Sequence, residues 1–197
     1  MTASPFDPPS LPQPCRTALI GVTGYGQVHL QHLLETTQAG WTRPVAAVVI
    51  NPEEAAEACQ TLQQQGARIY PDQDSLWAAE KGRVDLCLIP TGIHWHAPMS
   101  MAALEAGADV LVEKPLSGTV EEAEAMIRTS EKTGRFIAVG YQDLYDPNIL
   151  HLKQQILDGK LGTIRRIRGW ALWPRQHSYY QRNSWAGETQ GWGLHRS

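Results

Sequence analysis

The segment Asp109-Val110-Leu111-Val112-Glu113-Lys114-Pro115 is a short apolar run that ends in a carboxylate, an amine and a proline. Its central residues are apolar without alternation, which is typical of a strand that helices cover on both faces of a parallel sheet. Pro115 lacks a backbone N–H and disfavours a helical Lys114, so the strand is predicted to end here. Ligands of such sheets bind beyond the carboxyl ends of the strands, which makes Lys114 a candidate general acid or base.

Taken alone, the Glu113-Lys114-Pro115 tripeptide is weak evidence for a site, because a solvated lysine on a strand-to-helix connection has the same sequence. The functional interpretation requires a nucleotide site at the same edge of the sheet.

Strand and helix patterns alternate along the chain. Apolar strands are predicted at residues 18–20, 45–50, 69–70, 84–89, 110–112 and 136–139. Helices are predicted at residues 27–38, from Asn51 to Gly66, at 74–80, from Pro98 to Gly107, and from a Thr119 capping box to Thr133. This alternation, with the right-handed crossover rule, predicts an α/β fold with a doubly wound parallel sheet. Beyond the sheet, a helix is predicted from Pro147 to Asp158 and an extended segment from Thr163 to Leu172.

The first predicted strand leads into a glycine-rich turn, Gly21-Val22-Thr23-Gly24-Tyr25-Gly26, and then into a helix. Glycines in such a turn let the backbone approach a pyrophosphate, and the helix start favours its negative charge. Thr23 stands where the usual pattern has its second glycine. Its hydroxyl either bonds a phosphate or fills space, and a plain turn remains an alternative.

The end of the second predicted strand carries no clue that separates NAD from NADP. An Asp or Glu commonly binds the adenosine ribose there, but this chain has Ile50 and Asn51, with no arginine immediately after them. The Asn51 amide either bonds a ribose hydroxyl or, with Pro52 behind it, caps the following helix. The cofactor is therefore predicted as NAD or NADP.

Composition argues against several classes of protein. A formal net charge of −3 gives no field that would attract nucleic acid or anionic lipid, and no apolar run approaches the ~20 residues of a membrane span. The three cysteines are far apart, and His94 and His96 do not share a helical face, so no metal site is predicted. Residues 1–16 are proline-rich without an apolar core, which predicts a flexible arm, no signal peptide and a cytoplasmic location.

Several motifs occur in an order and spacing that resemble the Gfo/Idh/MocA oxidoreductases, over about residues 17 to 173. They are Gly26-x-x-His29, Pro90-Thr91-x-x-x-x-His96, Ala103-Leu-Glu-Ala-Gly107, Glu113-Lys114-Pro115, Val139-Gly-Tyr-Gln142 with Pro147, and Gly159-Lys-Leu-Gly162. Departures from the family pattern are Thr23, Gly92 in place of a common proline, and Leu144 in place of a common arginine.

The resemblance implies a Rossmann domain at residues 17–142 that binds NAD or NADP, and the start of a substrate and oligomerisation domain at residues 143–197. It also implies a sugar- or cyclitol-like substrate and a homo-oligomer, with no nucleic acid or membrane partner. Lys114 would be the catalytic residue. The implied cofactor contacts are Gly21, Thr23, Gly24, Tyr25, Gly26, Asn51, Thr91, His96 and Glu113.

The Asp and His that such enzymes usually draw from a D-x-x-x-H segment of the second domain are missing, so the chain is expected to be C-terminally truncated. An inactive nucleotide-binding module is therefore an alternative function. The chain is expected not to turn over sugars alone and to associate through residues 163–172 and through Trp170, Trp173, Trp185 and Trp192. The arginines of this stretch argue only weakly for nucleic acid.

Overall fold

The computed structural model describes residues 12–181. These residues belong to two compact units, one that ends at Val139 and one that begins at Gly140. The first eleven residues of the predicted arm lie outside the described range, as do Trp185 and Trp192.

The first unit is built on a six-stranded parallel sheet. Its strands are β1 (Cys15–Ile20), β2 (Thr42–Val48), β3 (Arg68–Tyr70), β4 (Leu86–Ile89), β5 (Asp109–Val112) and β6 (Ile137–Val139). Their order in the sheet is β3-β2-β1-β4-β5-β6, and every pairing is parallel. The predicted doubly wound α/β fold is confirmed. The strand order reverses between β1 and β4, which is where such sheets open a crevice for a dinucleotide.

Five helices connect these strands. They are α1 (Gly26–Gln38), α2 (Ala56–Gln64), α3 (Gln73–Glu80), α4 (Ile93–Glu105) and α5 (Val120–Thr133). The capping box predicted at the start of α5 is present, because the Thr119 hydroxyl accepts the Glu122 N–H while the Glu122 carboxylate accepts the Thr119 N–H. Gly134, in the left-handed region at φ +67°, ends this helix.

Two predicted helix starts are wrong. Helix α2 begins at Ala56, so Asn51 is not its N-cap, and residues 52–55 form turns instead. Helix α4 begins at Ile93 and includes Pro98, which was expected to open it. The burial of His96, Ala97 and Met99 around Pro98 explains this, since packing against the sheet outweighs the backbone hydrogen bond that proline cannot make.

The core has two parts that share the strands between them. One cluster joins the sheet to α3, α4 and α5, and the other joins it to α1 and α2. Consecutive β1 residues alternate between the clusters, as the pleat of a strand requires. In β5 Val110 and Val112 are fully buried, whereas Leu111 between them is only partly buried. The burial expected on both faces of β5 is therefore complete on one face only, because three helices cover one face and two cover the other.

The second unit is described from Gly140 to residue 181. It holds a 3₁₀ turn (Gln142–Tyr145), α6 (Pro147–Leu157) and α7 (His177–Gln181). The predicted helix from Pro147 is confirmed, with Asp146 as its side-chain cap. Residues 163–172 form no helix and pair with no strand in the described part of the chain, so the strand expected there is not observed. Between residues 12 and 181, no helix is both long and apolar enough to span a membrane.

Candidate functional site

The turn between β1 and α1 has a shape that its glycines make possible. Gly21 and Gly24 have φ values of +92° and +57°, a region that L side chains rarely adopt. Gly26 has an ordinary φ, but a Cβ added there would lie 2.5 Å from the carbonyl oxygen of Gly21. Each of these three positions therefore favours glycine, and the start of α1 packs directly on the turn.

Backbone N–H groups of this turn are left available to a ligand. The Gly21 N–H donates to the carbonyl of Val48, which fixes the turn to β2, and the Gly26 N–H donates to the carbonyl of Thr23. The N–H groups of residues 23–25 donate to no backbone carbonyl of the described chain, and Thr23 and Tyr25 are exposed. Tyr25 is the N-cap of α1 without a side-chain cap. The N–H groups of Gln27 and Val28 already donate to the carbonyls of Gly24 and Tyr25, so an anion here would meet the N–H groups of residues 23–25 and the positive end of the helix dipole.

The end of β4 closes the other side of the turn. Thr91 Cγ2 would lie 3.5 Å from a Cβ at Gly21, and Pro90 Cγ would lie 3.7 Å from a Cβ at Gly26. The Thr91 hydroxyl is buried and has no hydrogen-bond partner within the described structure. A buried polar atom without a partner is costly, so this hydroxyl is suited to a bond with a ligand or an ordered water.

Glu113 and Lys114 follow the end of β5, at the same edge of the sheet. The Glu113 carboxylate lies 2.9 Å from His29 Nε2 through Oε1 and accepts the Lys114 N–H through Oε2 at 3.2 Å. Burial alone would raise the pKa of Glu113, but the hydrogen bonds from His29 and from the Lys114 backbone keep that pKa below its usual value. The side chain of Lys114 is exposed, and its peptide bond to Pro115 is cis.

His96 does not line the surface of this edge directly. It is 1% exposed, with Nδ1 2.8 Å from the carbonyl oxygen of Pro115 and Nε2 3.1 Å from that of Thr91. The ring therefore joins the loop after β4 to the loop after β5. His96 can therefore act on a ligand at this edge by fixing the positions of Thr91 and Pro115. His94, by contrast, is exposed.

Asn51 lies after β2, at the far side of the same edge. Its side-chain N–H donates to Glu54 at 3.3 Å, and the neighbouring Ile50 is 77% exposed. The Asn51 amide does not cap α2, and it holds the Glu54 carboxylate beside the end of β2. Sequence patterns gave no sign of this carboxylate, because it belongs to a residue three positions beyond the asparagine.

The predicted site residues thus lie after β1, β2, β4 and β5. Thr91 packs beside the turn glycines and Glu113 contacts α1 through His29, whereas Asn51 lies apart from them on the β2 side. His29 was not among the predicted cofactor contacts. Its only signal in the sequence was its place in the Gly26-x-x-His29 motif. Among residues 12–181, no three His, Cys, Asp or Glu side chains are placed to hold a metal ion.

Comparison with known proteins adds independent evidence. The family model GFO_IDH_MocA, described as "Oxidoreductase family, NAD-binding Rossmann fold", matches residues 15–141. The chain is 32% identical over 154 residues to the inositol 2-dehydrogenase/D-chiro-inositol 3-dehydrogenase of Halalkalibacterium halodurans. That match covers 78% of this chain and 43% of the relative, so the chain spans less than half the length of such curated relatives.

Two solved structures extend the likeness to three dimensions. The myo-inositol dehydrogenase of Lactobacillus casei, solved with NAD(H) and myo-inositol, superposes with a TM-score of 0.67 at 26% identity, covering 77% of this chain and 43% of that one. The WlbA dehydrogenase of Bordetella pertussis, solved with NADH and UDP-GlcNAcA, has a TM-score of 0.74 at 22% identity, with coverages of 92% and 51%. The second likeness bears on the fold alone.

Proposed function

Because this chain belongs to the Gfo/Idh/MocA oxidoreductase family, with its NAD-binding Rossmann fold, we propose that it binds NAD across the β1–β4 switch point as part of a sugar- or cyclitol-oxidising enzyme. Lys114 is the catalytic residue in this proposal. The supporting observation is the glycine turn, which is packed against a buried Thr91 hydroxyl that lacks a partner among the described residues.

The residues present fit a dinucleotide. The N–H groups of residues 23–25 would hold the pyrophosphate at the start of α1, and Thr91 would donate its hydroxyl to the same ligand. Tyr25 is exposed beside the turn, where its ring can cover the ligand. Glu113 would contact the nicotinamide half, since β5 belongs to the second half of the sheet.

We propose NAD rather than NADP as the preferred cofactor. A ribose with a free 2′-hydroxyl can donate to the Glu54 carboxylate or to the Asn51 amide oxygen, which lie together after β2. A 2′-phosphate would instead meet Glu53 and Glu54. Residues 44–67 contain no lysine or arginine that could neutralise it.

Bound NAD would supply the hydride acceptor for the carbinol carbon of the substrate. Lys114 would take the proton of the same hydroxyl, and would return it in the reverse reaction. Its exposed side chain at the strand end, with no ion pair or hydrogen bond to any described residue, leaves the amine available to a substrate. The names of the relatives, inositol dehydrogenases among them, support a polyhydroxylated substrate. A homo-oligomer remains a prediction from the resemblance, and a cytoplasmic location remains a prediction from the sequence.

A nucleotide-binding unit without chemistry of its own is a second candidate. The observation in its favour is that no described acid–base side chain other than Lys114 is exposed at the end of β5, since Glu113 is paired and His96 is buried. Turnover of any polyol by the chain would exclude this candidate.

Calorimetric titration of the chain with NADH and NADPH tests the proposal. We expect binding of both, with NADH tighter by about tenfold, which corresponds to about 1.4 kcal/mol. Thr91→Val should weaken NADH while leaving the fold intact. Ser100→Ala is the matched control, because the Ser100 hydroxyl is also buried and has no hydrogen-bond partner among the described residues. Ser100 lies two turns into α4. Absence of binding by the folded chain would refute the site, and tighter NADPH binding would refute the cofactor preference.

A further inference from the structure

We propose that His29 and Glu113 form a clamp across the switch point, and that His29 is a positioning residue for the nicotinamide half of the site. This inference rests on the proposed function. His29 lies in the first turns of α1, which follows β1, and Glu113 follows β5. Strand β4 lies between β1 and β5, so this contact bridges the two mononucleotide-binding halves of the sheet.

The geometry of the contact is that of a well-formed, largely buried pair. His29 Nε2 lies 2.9 Å from Glu113 Oε1, and the two side chains are only 11% and 12% exposed. The lowered pKa of Glu113 keeps its carboxylate ionised near neutral pH, so the carboxylate can only accept. His29 must therefore donate from Nε2. The ring of Tyr25 packs edge-on to His29, with 5.8 Å between ring centroids, and restricts its orientation.

The same carboxylate controls the backbone at the strand end. Its second oxygen, Oε2, accepts the N–H of Lys114 at 3.2 Å. Because His29 holds the Glu113 side chain, Glu113 fixes the direction in which the chain leaves β5. It thereby also fixes the position of the Lys114 Cα, from which the side chain extends. A rotation of the carboxylate would release both contacts at once.

The proposed clamp has a different consequence from an ordinary stabilising ion pair. An ion pair that only stabilises the fold would affect every ligand alike, through the fraction of folded protein. The clamp joins the turn that holds the pyrophosphate to the residues that face the nicotinamide. Its loss should weaken ligands that carry nicotinamide and spare those that end at the pyrophosphate and ribose.

The test compares NADH with ADP-ribose, which lacks the nicotinamide ring, by titration of the whole chain. His29→Phe keeps the ring against Tyr25 and removes the donor, while His29→Gln keeps a donor. We expect His29→Phe to weaken NADH at least tenfold and ADP-ribose less than threefold, with His29→Gln close to the parent chain. His32→Phe is the matched control, because His32 forms an exposed 3.0 Å pair with Glu35 on the same helix. It should change neither affinity.

The outcomes separate the clamp from the site itself. Suppose that the parent chain binds NADH and ADP-ribose. If His29→Phe then lowers both affinities equally, or lowers neither, the clamp is refuted while the cofactor site stands. If the folded parent chain binds neither ligand, the proposed function fails and the clamp fails with it. Should His29→Phe not fold, His29→Ala takes its place, because the smaller side chain admits water to the Glu113 carboxylate. The same comparison of ligands then applies.

Discussion

Replacing Gly24 by alanine tests the proposed contact between the glycine turn and a phosphate. Gly24 has φ +57°, and a Cβ added to it would have no atom of the described chain within 4 Å. The substitution therefore strains the backbone without a steric clash inside the protein. Among the described residues the new methyl would meet no group, so it would be free to meet a bound ligand.

The cost to stability can be estimated from the backbone alone. A left-handed conformation costs an L residue about 1–2 kcal/mol, and the stiffer unfolded chain returns about 0.4–1 kcal/mol. The net loss is about 1 kcal/mol, or about 2–4 °C in Tm for a chain of this size. Gly40 offers a matched control, since it has φ +77°, equally open surroundings, and a position at the opposite end of α1.

Thermal melting and NADH titration of Gly24→Ala and Gly40→Ala test whether a phosphate contacts the turn at Gly24. Gly24→Ala and Gly40→Ala should lose the same Tm to within a few degrees. Only Gly24→Ala should weaken NADH binding, by at least about tenfold or 1.4 kcal/mol, because its methyl would occupy the space proposed for the pyrophosphate. Equal NADH affinity in the two variants would show that the phosphate does not sit over Gly24, and would contradict the placement of the cofactor.

Three further predictions address chemistry, the core and pH. In a form of the enzyme that turns over substrate, Lys114→Ala should lower kcat by about 100-fold or more with little change in NADH affinity, and an unchanged kcat would leave Lys114 an ordinary solvated lysine. Tyr70→Phe removes a 2.6 Å hydrogen bond to the buried Glu80 carboxylate and should cost about 1.5–3 kcal/mol in urea unfolding; no loss would mean that water replaces the hydroxyl. Because the pKa of Glu113 is lower in the folded state, its contribution to stability is present above the unfolded value of 4.5 and is lost as the pH falls through the folded value. Urea unfolding below about pH 4.5 should therefore depend less steeply on pH in Glu113→Gln than in the parent chain, and identical slopes would contradict the shift.

The fold could be predicted from the sequence where local patterns and packing agree. The unbroken apolar run at residues 110–112 and the capping box at Thr119 each specify an element through neighbouring residues, and both are present. Pro98 shows where local rules fail. A proline is typical of a helix start, but α4 begins five residues earlier, at Ile93, because residues on either side of Pro98 are buried against the sheet. That burial depends on the assembled sheet, which no window of sequence contains.

The candidate site was predictable to the extent that it follows strand ends. The glycine turn, Thr91 and Lys114 each come directly after an apolar run, so their common edge follows from the parallel sheet. The contact between His29 and Glu113 joins residues 84 positions apart, and no spacing rule connects them. Likewise, the bond from Asn51 to Glu54 depends on turns at residues 52–55 that the sequence favoured as helix.

The seam between β1 and β4 has a consequence for the order of folding. At its amino end Arg16 and Asp85 form a salt bridge between residues 69 positions apart, and the strands pair only at Thr17–Leu86, Ala18–Cys87 and Leu19–Leu88. Pairing β1 with β4 closes a loop of 69 positions, and the entropy lost in closing it precedes the few stabilising contacts. Elements β1, α1 and β2 follow one another in the chain, so their contacts require much shorter loops. We expect the β1–α1–β2 half to form first in refolding and the β1–β4 seam to close late. The edge between β1 and β4, where we propose that the cofactor binds, would then be among the last features to form.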